Sequence, residues 1–495
     1  MLQTIARTGQ PIATPHDTLH RWNLRCGGKG LCGACRITLV QGVFSVAGSL
    51  VRAGAFRTEA NACQTTLVSA TGIIDIPDSA LLPTTGAIAT HWQASPLPDH
   101  DAPVIAIDIG TTTLAAARIE HAAIVRTATA FNPQAIFGDN IISRIAHAAT
   151  PDGQTQLQQA IATALDQLVR ELNDGAEPPA RLAIAGNTTM TSLLWGIDPT
   201  PIGHAPFAPH CRHFPTRTAL SLGLRSLPPD TPILAVPAIS AFVGGDLTAG
   251  LHETHPDPGD LLIDLGTNCE IILHTGDRIL CTAAAAGPAF EGSGITAGRR
   301  ATPGAIDHLH ADLSFSTIGG RLPPDGLCGS AMLDLLAHGR RAGWLDRFGL
   351  PIPGQLGDHA AHDAHGTPAI LVTDGILVTA ADIEQLLKAK AAIAAGIRAL
   401  LDAASLTPGD LRRIHLAGGF ANYLDLDSAR AIGMLPPGVP CVIVGNTSLA
   451  GAARLACRPQ LLHTLDQLAD TPTEIPLNDI PSFEQHYIDA LTLAP

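Results

Sequence analysis

The chain is poor in lysine: Lys29, Lys388 and Lys390 are the only three in 495 residues, and the formal net charge is −14. An acidic surface with no basic stripe excludes nucleic acid and anionic membranes as expected partners. No apolar run reaches the roughly 18 residues that cross a bilayer. The first residues also lack the basic-then-apolar pattern of a leader. Together these absences place the protein in the cytoplasm. Charged residues are only 15% against 46% hydrophobic, which excludes a disordered chain and calls for large buried layers. A chain of this length is expected to divide into two to four domains. The bias toward arginine and alanine reads as genome composition.

A second C-x-x-C pair is also missing, although there are ten cysteines. Four of them lie near the N-terminus, in Cys26-Gly-Gly-Lys-Gly-Leu-Cys32-Gly-Ala-Cys35 and in Ala62-Cys63-Gln-Thr. Four thiolates suit a small iron–sulfur cluster or a zinc ion. A zinc ribbon would show two C-x-x-C knuckles, and only one is present. Gly27, Gly28, Gly30 and Gly33 crowd the first three cysteines. Glycine lets backbone N–H groups close in on a cluster with bridging sulfides. Buried structural thiols are the plain alternative, but random cysteines rarely take ligand spacing inside a glycine-rich loop. Cys211, Cys269, Cys281, Cys328, Cys441 and Cys457 have no such spacing and read as small buried hydrophobes.

Arg36–Val40 reads as a strand leaving the cysteine loop and Thr71–Pro77 as a closing strand. This stretch, residues 1–78, resembles the 2Fe–2S ferredoxin domain of plant and adrenodoxin type. Five residues between the first two cysteines is closer to the adrenodoxin pattern. The resemblance implies an α+β (β-grasp) domain with a 2Fe–2S cluster on Cys26, Cys32, Cys35 and Cys63. Only 25 residues precede Cys26, short for the usual opening hairpin and helix. Residues 79–102 lack periodicity and hold several prolines, so they read as a flexible linker. The alternative is a linker packed on the next domain with Trp92 as its anchor.

Two pairs of echoes follow. Ile107-Asp-Ile-Gly-Thr-Thr112 returns as Ile263-Asp-Leu-Gly-Thr-Asn268. Ile184-Ala-Gly-Asn-Thr-Thr-Met190 returns as Ile443-Val-Gly-Asn-Thr-Ser-Leu449. Repeated order at this scale predicts two similar α/β halves facing each other. The chemistry is that of phosphate. Asp108 and Asp264 end buried strands, where carboxylates can hold a hydrated Mg²⁺. Gly110 and Gly266 let the backbone approach a phosphate. Thr111, Thr112, Thr113, Thr267 and Asn268 offer donors in tight turns. One Asp-x-Gly-Thr is an ordinary hairpin turn; two in matching halves point to a nucleotide cleft.

In Ile414-His-Leu-Ala-Gly-Gly-Phe-Ala421 a strand ends in Gly418-Gly419 and a helix is expected to follow. Side-chain-free residues there leave room for adenosine beside Phe420; alone, the stretch is a plain turn. Gly244-Gly-Asp246 opens another helix, expected at Leu247–Leu251. Asp246 either orients or deprotonates an attacking water, or caps the helix.

These motifs resemble the actin-like ATPase superfamily. Asp108–Thr113 matches its first phosphate motif, Asp264–Asn268 its second, and Ala417–Phe420 its adenosine motif. The resemblance covers about 103–458 and implies a duplicated α/β (ribonuclease H-like) domain closing over ATP and Mg²⁺. Residues 459–495 are expected to pack on it as a C-terminal extension.

The two modules together resemble the reductive activators of corrinoid-dependent methyltransferases. Phe131-Asn-Pro-Gln, Gly138-Asp-Asn, Pro206-Phe-Ala-Pro209, Gly287-Pro-Ala-Phe-Glu-Gly292, Gly326-Leu-Cys-Gly-Ser330 and Phe483…Tyr487…Ala490-Leu491 fit that family too. Larger members carry a further domain between linker and ATPase, and Val104 starts the first phosphate strand so early that this domain is expected to be missing. The resemblance implies ATP-dependent transfer of one electron from the 2Fe–2S cluster to a Co(II) corrinoid on a partner protein, regenerating Co(I). A plant-type cluster sits near about −400 mV, and the cobalt couple can lie lower, so ATP would have work to do. The chain lacks the Asp-x-His-x-x-Gly signature of cobalamin-binding domains, so the corrinoid belongs to the partner. An upstream electron donor is also required, and a homodimer is left open. The 21 histidines, His308, His310, His362 and His365 among them, read as surface residues. Two other classes stand beside this one: an ATP-driven activator of another low-potential enzyme, and a nucleotide-binding redox sensor.

Overall fold

Strands β1 (Leu2–Ala6), β2 (Arg36–Val46), β3 (Ser49–Ala53), β4 (Thr58–Asn61), β5 (Thr65–Leu67) and β6 (Thr71–Asp75) form an N-terminal sheet. The structure, a computed structural model, describes residues 2–14, 22, 35–54, 58–76, 90, 92, 96–292 and 294–493. β2 is the spine of the sheet and pairs antiparallel with β3, β4, β5 and β6, while β1 pairs antiparallel with β6. Ile37 and Leu39 alternate inward along β2 and are buried with Phe44, Ile74 and Trp22. Arg36 to Val40 and Thr71 to Asp75 are strands, as the sequence predicts.

The rest of the chain is two lobes built alike. Lobe I has β7 (Val104–Ile109), β8 (Thr113–Glu120), β9 (Ala123–Phe131), β10 (Arg181–Gly186), β11 (Arg217–Thr218) and β12 (Pro232–Ala235), with α1 (Ile141–Ala148), α2 (Gly153–Asn173), α3 (Thr188–Trp195) and α4 (Gly245–Thr254). Lobe II starts with β13 (Asp260–Leu265), β14 (Cys269–His274) and β15 (Ile279–Ala284). It then inserts two small sheets, β16 (Ala305–Leu309), β17 (Phe315–Thr317) and β18 (Gly326–Leu327), and β19 (Ala360–His362), β20 (Pro368–Thr373) and β21 (Ile376–Thr379). It closes with β22 (Arg413–Ala417), β23 (Cys441–Gly445) and β24 (Thr473–Glu474). Its helices are α5 (Gly329–Ala342), α6 (Pro353–Leu356), α7 (Ala380–Ala403), α8 (Leu426–Ala431), α9 (Thr447–Cys457), α10 (Leu461–Ala469) and α11 (Phe483–Ala490).

The sheets run β11-β12-β10-β7-β8-β9 and β23-β22-β13-β14-β15-β24. In each, an antiparallel meander lies on one side and two parallel strands on the other. Asp108 of β7 and Asp264 of β13 therefore occupy equivalent places, as the first echo predicts.

The central strands are apolar on both faces because each face meets a different core. Ile105, Ile107 and Ile109 of β7 pack under α2, with Leu157, Ile161 and Leu165. Val104 and Ala106 face the other way, onto Leu449, Ala450 and Ala453 of α9. Thus α9, which follows β23 of lobe II, packs on lobe I. Its counterpart α4 follows β12 of lobe I and packs Leu247 and Leu251 onto Leu262 and Ile272 of lobe II. The two exchanged helices also touch each other: a Cβ at Gly451 would stand 2.5 Å from the Ala249 Cβ.

Several expectations are refined. The second echo does not join equivalent strands, since β10 neighbours β7 whereas β23 is separated from β13 by β22. What the echo reports is capping: Asn187 accepts from Met190 N at 2.9 Å and Asn446 from Leu449 N at 2.8 Å, each at a helix start. The helix expected at Leu247–Leu251 is the longer α4, and Gly244, not Asp246, is its N-cap residue. A one-turn 3-10 segment, Phe420–Tyr423, follows Gly418-Gly419 before α8 begins.

The linker is not free along its whole length. Trp92 and Leu97 are buried in the core that joins α9 to lobe I, Trp92 bridges Gly445, and Arg454 donates to Pro96 O. This is the Trp92-anchored alternative. Residues 459–493 pack on both lobes: Leu465 joins the core between α9 and lobe I, β24 extends the lobe II sheet beside β15, and Leu493 is buried. Ile136 of lobe I packs against the core of the N-terminal sheet.

Candidate nucleotide cleft and cysteine site

Each phosphate turn is a hairpin held by one backbone bond, Gly110 N to Thr113 O at 2.9 Å and Gly266 N to Asn268 O at 3.1 Å. The turns meet across the gap, where Thr112 Oγ1 and Thr267 Oγ1 are 2.9 Å apart. Between the lobes lies a cleft of about 1260 Å³, open to solvent. All the residues expected at a nucleotide site line it: Asp108, Gly110, Thr111, Thr112 and Thr113 from lobe I; Asp246 from α4; Asp264, Gly266, Thr267 and Asn268 from lobe II; and Gly418, Gly419 and Phe420.

Gly418 has φ +94°, and a Cβ there would stand 2.5 Å from Leu265 O and 2.7 Å from Asp264 Oδ1. That turn is thereby pressed onto the end of β13. Gly419 differs, because a Cβ there meets nothing within 4 Å. Phe420 stacks on Phe290, with centroids 5.4 Å apart and planes at 9°.

The floor is acidic. Asn446 Nδ2 donates to Asp108 Oδ2 at 2.9 Å and Ser448 Oγ to Asp108 Oδ1 at 2.7 Å, tying lobe I to the start of α9. Asp246 sits in the first turn of α4 and accepts from Leu247 N. Both exchanged helices thus begin at the cleft, where helix N-termini favour anions. Burial pushes the Asp108 carboxyl up against the effect of its two donors. Burial and the Asp108 charge raise Asp246 to about 7. Burial, then Asp246 and Asp108, raise Asp264 to about 8. Glu270 on β14 is pushed well up by burial and by Asp246 and Asp264.

Four carboxyl groups that disfavour each other's charge fit a divalent cation. Among the described residues no three His, Cys, Asp or Glu side chains come together as direct ligands. Such an arrangement could hold a Mg²⁺ that keeps most of its water, which Asp108 and Asp264 would reach through that shell.

Sequence reasoning missed several lining residues: Glu270, Glu291, Arg300, Asn187, Asn446 and Ser448. Asn187, Asn446 and Ser448 stood inside the second echo without a role. Glu270 carried a signal, a lone acid in the apolar strand Cys269-Glu-Ile-Ile. Glu291 accepts from Thr267 Oγ1 at 2.8 Å, and Arg300 lies over the Phe131 ring at 4.0 Å. Both come from a long excursion after β15 that no local pattern links to the turns.

At the N-terminal sheet, Cys35 and Cys63 are buried, and Ala62 N, the neighbour of Cys63 in the chain, donates to Cys35 O at 2.9 Å. Cys26 and Cys32 lie outside the described residues. Of the other six cysteines, Cys269, Cys281, Cys328 and Cys457 are buried, and Cys211 and Cys441 partly so. Cys328 also lines the cleft.

Comparison with known proteins fits this geometry. A family model described as the C-terminal domain of RACo, the ASKHA domain, matches residues 259–495, and one described as the RACo middle region matches 104–256. The second match coincides with lobe I. The chain is 31% identical over 411 residues to the corrinoid activation enzyme RamQ of Eubacterium limosum, covering 78% of this chain and 69% of that one. It is 25% identical over 378 residues to the Co(II) methylated amine-specific corrinoid protein reductase of Methanosarcina barkeri, covering 67% and 65%. A solved structure named reductive activator for corrinoid, iron-sulfur protein superposes with a TM-score of 0.73 at 28% identity, covering 95% of this chain and 94% of that one. With two lobes of the actin-like ATPase type matched in full by these models, the chain belongs to the RACo family.

Proposed function

We propose that this protein is an ATP-dependent reductive activator. It passes one electron from a 2Fe–2S cluster in its N-terminal domain to an inactive Co(II) corrinoid on a partner protein, leaving Co(I). The electron comes from an upstream donor protein, and the reaction is cytoplasmic. One observation carries the reading: the likeness to the solved reductive activator runs over 95% of the chain, so it takes in the cysteine-bearing sheet as well as both lobes.

The residues fit their parts. Cys35 and Cys63 are buried cysteines of the N-terminal sheet, and with Cys26 and Cys32 they would supply four thiolates. The cluster would supply a one-electron carrier. Asp108 and Asp264 would hold hydrated Mg²⁺ on the phosphates, with Asn446 and Ser448 fixing Asp108 in place. Gly418, Gly419 and Phe420 would seat the adenosine. Asp246, raised to about 7, is poised to accept a proton from an attacking water near neutral pH. Among the described residues no helix is long and apolar enough to cross a membrane.

The test is reduction of a cognate Co(II) corrinoid protein, followed by the Co(I) absorbance band. The band should grow only with ATP and an electron source together. Equal rates with and without ATP would reject the coupling and favour a simple carrier or sensor.

A further inference from the structure

The segment from Phe131 to Arg144, which carries the Phe-Asn-Pro-Gln and Gly-Asp-Asn stretches, has no part in the reading so far. It lies behind the first phosphate turn and grips all three of its carbonyls. Asn132 Nδ2 donates to Gly110 O at 2.9 Å, Arg144 Nη2 to Thr111 O at 2.6 Å, and Asn132 N to Thr112 O at 2.9 Å. Asn132 and Arg144 are both fully buried.

In a trans peptide the N–H points opposite the preceding C=O. Carbonyls drawn backward therefore turn the amides of Thr111 and Thr112 toward the cleft. Neither amide donates to an acceptor among the described residues. Asn187 Nδ2 fixes the Thr111 hydroxyl at 2.9 Å.

The grip is not what a hairpin needs. The second turn, one residue shorter, closes without it: no side chain among the described residues donates to Gly266 O or Thr267 O. Arg144 is also costly to bury. Its guanidinium has no carboxylate within ion-pair distance among the described residues, and its remaining contacts are Gly138 O, Gln134 Oε1 and Met190 Sδ. Burial lowers it to about 9, with Asp139 and Glu291 opposing, so it stays charged at neutral pH. A buried cation one peptide behind two unmatched amides asks for an anion in front of them.

We propose that Asn132 and Arg144 are positioning residues that hold the first phosphate turn open-handed toward the terminal phosphates of the nucleotide. This rests on the nucleotide reading above. Neither side chain touches the nucleotide. Their effect should therefore depend on the terminal phosphates being there.

The test uses the full chain and calorimetric titration with Mg–ATP and with AMP, which lacks the terminal phosphates. The variants are Arg144→Met, Arg144→Lys and Asn132→Ser. Serine keeps the cap on Gln134 N but cannot reach Gly110 O. The ATP-to-AMP affinity ratio should fall about tenfold in Arg144→Met and Asn132→Ser, with Arg144→Lys intermediate. Asn132→Ser keeps the question open to measurement should Arg144→Met not fold. An unchanged ratio, or equal loss for both ligands, would overturn the proposal and leave the grip a matter of stability alone. Wild-type protein that binds neither ligand would instead reject the nucleotide reading, and this proposal with it.

Discussion

The crowded carboxyl groups make the nucleotide-free protein sensitive to pH in a direction the cleft fixes. Asp264 is raised from 3.8 to about 8, so the folded state holds a proton that the unfolded state loses above about pH 4. The stability this gives is complete below about pH 4 and drains away as pH rises toward 8. Within that window the slope is about 1.4 kcal/mol per pH unit. Going from about pH 6 to about pH 7.5 should therefore cost about 2 kcal/mol through Asp264, and Asp246 should add roughly 1 kcal/mol. For lobes of this size that is a fall in Tm of roughly 5–10 °C. Thermal melts at the two pH values, at constant ionic strength, would measure it. Asp264→Asn removes the larger contribution and should shrink the fall to about a third. Mg–ATP should flatten it in the wild type, because a cation lets the carboxylates stay ionised. A wild-type Tm that is level or rises with pH, or an Asp264→Asn fall as steep as the wild type's, would refute the picture of an acid cluster awaiting its cation.

Three further outcomes are expected. Purified anaerobically, the protein should be red-brown with about two irons and two sulfides per chain, and Cys35→Ser or Cys63→Ser should bleach or shift the visible spectrum; zinc without labile sulfide would end the cluster assignment. Gly419→Val should fold normally and weaken Mg–ATP binding at least tenfold, since its side chain projects into open cleft, whereas Gly418→Ala should lower stability by 1 kcal/mol or more against Leu265 O and Asp264; a normal ATP affinity in Gly419→Val would move the adenosine elsewhere. Asn446→Ala and Ser448→Ala should each raise the KM for Mg–ATP by about tenfold through Asp108 while leaving the cluster spectrum unchanged, and a shifted spectrum would contradict the separation of the two sites.

How much of this could be read beforehand follows from the range of each signal. The two phosphate turns were legible because strand, Asp, Gly and Thr sit within six residues and repeat. Gly418 and Gly419 do not repeat, and were legible only as a strand that ends in two glycines. The equivalence drawn from the second echo failed, because a strand ending in Gly-Asn before a helix is demanded by capping wherever a helix starts. Glu291 and Arg300 were out of reach, since only the folded excursion after β15 brings them to the cleft. The exchange of α4 and α9 was equally hidden: both read as ordinary small-residue helices, and nothing local says on which lobe each will lie. The linker was half legible, with Trp92 named as an anchor but the longer free span preferred.

That anchor sets the geometry of delivery. Beyond Ile76 the chain regains the ATPase at Trp92, whose backbone lies on Gly445, next to the asparagine that holds Asp108. Sixteen peptide steps can stretch no farther than about 55 Å. Under the proposed function, a carrier domain held within that radius would stand, to its own ATPase, at a concentration on the order of millimolar. It can never be diluted from the cleft, whatever the abundance of the protein in the cell. Under the proposed function, a corrinoid partner would therefore meet the electron carrier already beside its ATPase.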